Sequence, residues 1–106
     1  MKHKEIKLPL TIKVTAADIK KGLPRSASWC AIALAAKRAG IKVLGVAPDR
    51  IRNHRYLYKL PLVARRFIAR FDDAIWDVKY KDALKPFEFT LRSKSLVPDH
   101  LRESDD

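Results

Sequence analysis

The sequence predicts an α+β domain, a two-layer sandwich in β-α-β-β-α-β order with two helices on a mostly antiparallel sheet. Three stretches predict it. Ile6–Thr15 (IKLPLTIKVT) alternates apolar and polar residues, as a half-buried strand does. Pro61–Asp73 (PLVARRFIARFDD), taken with Leu60, places Leu60, Val63, Ala64, Phe67, Ile68 and Phe71 at helical steps of three and four. Ala27–Ala39 (ASWCAIALAAKRA) is apolar almost all round until its last turn, so it reads as a helix buried on most sides.

In the first strand Ile6, Leu8, Leu10, Ile12 and Val14 share one face. Pro9 cannot donate to a ladder and marks an edge strand or a bulge. Lys7 and Lys13 on the open face discourage edge-to-edge pairing. Residues 16–25 form a connection with at most one helical turn before Gly22. Ser26 or Ser28 then caps the buried helix, Gly40 closes it, and Lys37 and Arg38 suit its C-terminal dipole. Ile41–Val46 reads as the second strand, followed by a Pro48-Asp49 turn. Arg50–Lys59 (RIRNHRYLYK) reads as extended, with a bend at Asn53-His54.

Pro61 suits the first turn of the next helix, where its missing N–H leaves no bond unmade. Burying Val63, Phe67, Ile68 and Phe71 contributes roughly 1.5–3 kcal/mol each before entropy is charged. Ala74–Leu84 reads in two ways. Alternation of Trp76, Val78 and Tyr80 with Asp77, Lys79 and Lys81 favours a strand, and a helical continuation is the alternative. Lys85–Arg92 (KPFEFTLR) is a strand with Phe87, Phe89 and Leu91 inward. The expected domain therefore spans 1–92, and 93–106, ending ESDD, is expected to be a mobile acidic tail. Trp29 and Trp76 are expected to pack in the core or on the sheet.

At 106 residues and 47% apolar, the chain is one domain with a core that needs no covalent staple. Its single cysteine, Cys30, permits no intramolecular disulfide and points to a reducing cytoplasm. No run of about 18 apolar residues is present, so no membrane span is expected. MKHKEIKLPL lacks the apolar stretch of a signal peptide.

The net charge is +11 and unevenly placed. Residues 1–70 carry 17 Lys/Arg against 3 Asp/Glu, a net of +14, whereas residues 71–106 carry 6 against 9, a net of −3. A basic body favours anionic partners. The densest stretch is 50–70, with seven cations and no carboxylate: Arg50, Arg52, Arg55, Lys59, Arg65, Arg66 and Arg70. Tyr56 and Tyr58 are interleaved with them. Arginine forks bind phosphate bidentately, and tyrosine rings stack on unpaired bases. If strand and helix converge, these nine residues form a phosphate-tracking groove. The bland alternative is a solvated, solubilising face with the tyrosines packed beneath it. A second patch, Lys2, Lys4, Lys7, Lys13, Lys20 and Lys21, fits a soluble edge better than a site.

Enzyme chemistry finds little footing. Cys30 lies in an apolar helix, where buried thiols are inert. His3, His54 and His100 are dispersed and show no metal-ligand spacing, and Gly22, Gly40 and Gly45 form no phosphate loop. No cofactor is expected.

The pieces IKVTAADIKKG, CAIALA, LPLVARRFIARFD and KPFEFTL together resemble a group of small single-domain phage and prophage proteins of unassigned function, over about residues 10–92. That group carries a Cys-(Pro)-Ile-Ala-Leu helix and a closing Pro-Phe-x-Phe strand. Here Ala31 stands where proline is usual, and Trp76–Leu84 looks like an insertion. The resemblance implies a phage setting, hence a host cytoplasm, and brings no ligand or catalytic residues. The expected function is non-enzymatic, electrostatic binding of nucleic acid, DNA or RNA. The rival is a protein-binding effector that inhibits or modulates a host enzyme or defence complex.

Overall fold

The computed structural model describes residues 6–74, 78–98 and 100. It is α+β, with two antiparallel sheets in place of the single sheet expected. The first sheet pairs β1 (Leu10–Val14) with β5 (Phe87–Leu91). Ile12 opposes Phe89 and Leu10 opposes Leu91, while on the solvent face Thr11 and Thr90 share a hydrogen bond of 2.9 Å. The second sheet is formed by β2 (Gly45–Ala47), β3 (Arg50–Arg52), β4 (Tyr56–Lys59) and β6 (Lys94–Leu96), in spatial order β2-β3-β4-β6. Among the described residues β1 pairs with β5 alone, and its Lys13 carbonyl accepts from Arg38 Nη2 at 2.8 Å.

Helix α1 (Ala16–Lys21) is the turn before Gly22, and it starts with a reciprocal cap. Thr15 Oγ1 accepts from the Asp18 amide at 3.2 Å, and Asp18 Oδ2 accepts from the Thr15 amide at 2.8 Å. Helix α2 (Ala31–Arg38) begins later than expected. Ser26 spends its hydroxyl accepting from the Trp29 amide, and the cap is Cys30, whose Sγ accepts from the Ala33 amide at 3.4 Å. Ala31 thus takes the first helical position, whose N–H has no intrahelical partner. Gly40, at φ 106°, closes α2: its own amide reaches Lys37 O and the Ile41 amide reaches Ala36 O. Ile41 is taken up in that closure, and β2 starts at Gly45, four residues later than expected. Trp29 falls outside the helix and is 56% exposed, so it is not a core residue.

Helix α3 (Leu62–Asp73) buries Ala64, Phe67, Ile68 and Phe71, and Phe67 stacks on Phe71 at 5.6 Å. Val63 is 50% exposed and contributes less than its spacing implied. Val78–Ala83 is helix α4 and not the strand that alternation favoured; Ile75–Asp77 lie outside the described residues. The physical reason is a long-range tie: Lys81 Nζ donates to Lys20 O at 2.7 Å and Gly22 O at 2.9 Å, at the C-terminal end of α1. Ordered structure also continues past 92. β6 pairs with β4, the Val97 amide bonds Arg55 O, and Val97 is buried. Residues 101–106 lie outside the described residues.

One apolar cluster joins the elements: Ile12, Val14, Phe89 and Leu91 from one sheet, Ile51 and Tyr58 from the other, with α2 and α3. Among the described residues no helix is long and apolar enough to cross a membrane. Gly22 lies at the crowded crossing of α1 and α2, where a Cβ would stand 2.6 Å from the Ala31 nitrogen.

The buried carboxylate of Asp18, 4% exposed, ties these parts together. Arg38 Nη1 and Nη2 donate to its two oxygens, both at 2.7 Å. Burial pushes the carboxyl up, but the Arg38 fork and the Thr15 hydrogen bonds outweigh it and hold it below the ordinary value of 3.8. A carboxyl that ionises more easily folded than unfolded adds stability above its ordinary value, and loses it as pH falls through the lower folded one. Arg38→Met should cost about 1–3 kcal/mol at pH 7, less than a fully enclosed pair because the guanidinium is half exposed. Urea unfolding from pH 7 down to 3 should show the gap between parent and variant narrowing with acid. A gap independent of pH would contradict this role for Asp18.

Candidate nucleic-acid interface

The nine basic-run residues do not form one surface. β3 and β4 are joined by a turn that Asn53 organises. Asn53 Oδ1 accepts from the Arg55 and Tyr56 amides at 2.9 and 2.6 Å, its own amide bonds Tyr56 O, and Nδ2 donates to the Tyr58 hydroxyl at 3.3 Å. The resulting register sets Arg50 opposite Lys59, Ile51 opposite Tyr58 and Arg52 opposite Leu57. Because side chains alternate across a strand, Ile51 and Tyr58 face the core and Arg50, Arg52 and Lys59 face away from it. Gly45 and Ala47 on β2 and Ser95 on β6 continue that outer face, which bears no carboxylate of its own in the paired strands.

Tyr58 is therefore a correction to the expected site. It is fully buried, so its ring is core and has no face to offer a base. Tyr56 shares its side of the sheet. It is half-buried, tilted against Tyr58 with centroids 6.2 Å apart, and Lys94 Nζ stands 4.2 Å from its centroid. Arg55 is exposed at the hairpin tip.

Arg50 and Lys59 are both exposed and directly opposed. Like charges in that position repel. The carboxylate beside them, Asp49, reaches Arg50 only at 3.8 Å with both side chains more than half exposed, so it offsets little.

Arg65, Arg66 and Arg70 are exposed on α3. Arg66 and Arg70, one helical turn apart, line a groove of about 480 Å³ between α3 and the segment entering β5; Arg65 does not. Lys85 completes the cationic rim, and its position before the Pro86–Phe87 strand entry held no sequence signal for a site.

Cys30 is buried, and burial pushes its thiol above the ordinary value, so it is a neutral helix cap and not a poised nucleophile. Among the described residues no group of three or more His, Cys, Asp or Glu is placed to hold a metal ion. Comparisons with known protein families, curated proteins and solved structures found no match.

The hairpin's dependence on Asn53 is testable. Asn53→Ala removes three side-chain hydrogen bonds and should cost about 1–3 kcal/mol in urea unfolding. Asn53→Asp keeps the two accepted bonds and should recover most of the loss. Equal stability of parent and alanine variant would show that the turn is held by other contacts.

Proposed function

We propose that the protein is a small non-enzymatic nucleic-acid-binding protein that works electrostatically through the outer face of its four-stranded sheet. Arg50, Arg52 and Lys59 supply the phosphate contacts there, with Arg55 at the tip. The observation that carries the reading is the Arg50–Lys59 register: the sheet holds two exposed cations opposite each other with little to neutralise them. A phosphate between them turns a repulsion into an attraction and releases counterions. With Tyr58 in the core, this mode rests on backbone charge and not on base stacking. It should be tolerant of sequence and sensitive to salt. Arg65, Arg66 and Arg70 add to the positive field that steers an anion toward the domain. The phage setting and host cytoplasm are part of the same proposal. They rest on the sequence resemblance and, for the compartment, on the single buried free thiol.

Fluorescence anisotropy with labelled single-stranded DNA, duplex DNA and RNA across a salt series tests the reading. The folded Arg50→Ser/Lys59→Ser variant should bind more weakly to all three. Its log–log salt slope should be shallower by about 1.4 for single strands and about 1.8 for duplex. A parent slope retained by the variant would remove the sheet face from binding.

A further inference from the structure

The groove between α3 and the entry to β5 has a different chemistry from the sheet face. Its rim holds three cations, Arg66, Arg70 and Lys85, and no carboxylate lies among the described residues that line it. Its walls are apolar. Leu62 and Val63 are each 50% exposed there, on the first turn of α3. A helix that buries Phe67 and Phe71 so well has no folding reason to present Leu62, Val63, Arg66 and Arg70 side by side around a concavity. The concavity thus sets an apolar floor beside a cationic rim, a pairing of chemistries that an acidic, partly apolar segment would complement.

Two kinds of anionic macromolecule answer to cations around an apolar floor, and the aromatic geometry separates them. Bases need an open aromatic face. Phe67 is only 7% exposed, with Phe71 stacked at 5.6 Å, and the half-buried Phe87 has Phe67 at 4.7 Å and Phe89 at 5.9 Å beside its ring, so neither ring stands free. The large apolar side chains most exposed at the groove, Leu62 and Val63, are aliphatic, which suits the apolar side chains of a peptide. Arg66 and Arg70 repeat at one helical turn, the spacing that meets two carboxylates of a peptide helix or of alternate strand residues. We propose that this groove is a docking site for an acidic amphipathic peptide segment of a protein partner. Its Leu- or Phe-type side chains would rest on Leu62 and Val63, and its Asp/Glu would bridge to Arg66, Arg70 and Lys85. The proposal stands apart from the nucleic-acid reading, since the sheet-face substitutions leave the groove intact.

The test is selection of a randomised twelve-residue peptide library, displayed on a carrier, against the immobilised full chain. Enriched peptides should carry at least two carboxylates together with Leu or Phe. As synthetic peptides in titrations, they should lose about tenfold or more in affinity against Arg66→Glu/Arg70→Glu. They should lose a similar factor against Val63→Asp, and none against Arg50→Ser/Lys59→Ser. Both groove variants change exposed side chains, and circular dichroism matching the parent confirms their fold. Enrichment without acidic residues, no enrichment at all, or selected peptides indifferent to both groove variants would overturn the proposal. Single-stranded DNA that binds the parent and loses its affinity in the groove variants, while peptides do not, would assign the groove to nucleic acid. A synthetic peptide of residues 98–106 that competes as strongly as the selected ones would show the groove occupied by this chain's own acidic segment, and would overturn a partner's claim to it.

Discussion

Asp18 sits where three elements meet, and its two oxygens are shared among them. One caps α1 through the Thr15 amide, and both are gripped by Arg38 from the end of α2. The same guanidinium closes β1 by taking the Lys13 carbonyl. A carboxylate this buried is costly unless every lone pair is met, and here the ion partner and the backbone meet it together. Once Asp18 fixes α1 against α2, Gly22 must lie at their contact, since no Cβ fits there. Lys81 then fastens α4 to the carbonyls that α1 leaves open. The core cluster supplies most of the stabilisation, but these polar ties determine which way round its elements pack.

The second constraint is the parity of the β3–β4 hairpin. In one continuous extended strand, Arg50, Arg52, Tyr56 and Tyr58 would all share a face, making a mixed cation–aromatic platform. The Asn53 turn instead pairs Arg50 with Lys59 and Arg52 with Leu57, which sends the tyrosines to the side opposite the arginines. The platform is thereby split into a cationic outer face and an aromatic inner one. That single geometric step moves the chemistry from base stacking toward phosphate contact, and it makes Tyr58 a structural residue.

The parts of this fold that depend on local order were legible in the chain. Alternation located β1 and β5, the steps of three and four located α3, and Gly40 marked the end of α2. What escaped was decided by long-range partners. Two sheets stand in place of one because β1 pairs with β5 and β4 with β6, partners far apart along the chain. Residues 78–83 became helical against their alternation because Lys81 docks on α1. β6 was missed because only Leu96 and Val97 are apolar in its neighbourhood, and being adjacent they point to opposite sides, one exposed and one buried. Of the candidate site, the cations were legible as a run, but their division between the sheet face and the α3 groove follows from pairing and packing that no local pattern carries. Neither the Thr15–Asp18 cap nor its extension to Arg38 was expected, although the Thr-x-x-Asp spacing stands in the chain.

The central claim is that the outer face of the four-stranded sheet meets the phosphate backbone. Amide chemical-shift mapping of the isotope-labelled chain, titrated with a short single-stranded DNA at moderate salt, tests it most directly. The account predicts perturbations concentrated at residues 50, 52, 57, 59 and 95, which share the outer side of that sheet, with β1 and β5 unmoved. Perturbations confined to the lysines of the first 21 residues, or spread evenly over every exposed cation, would contradict it.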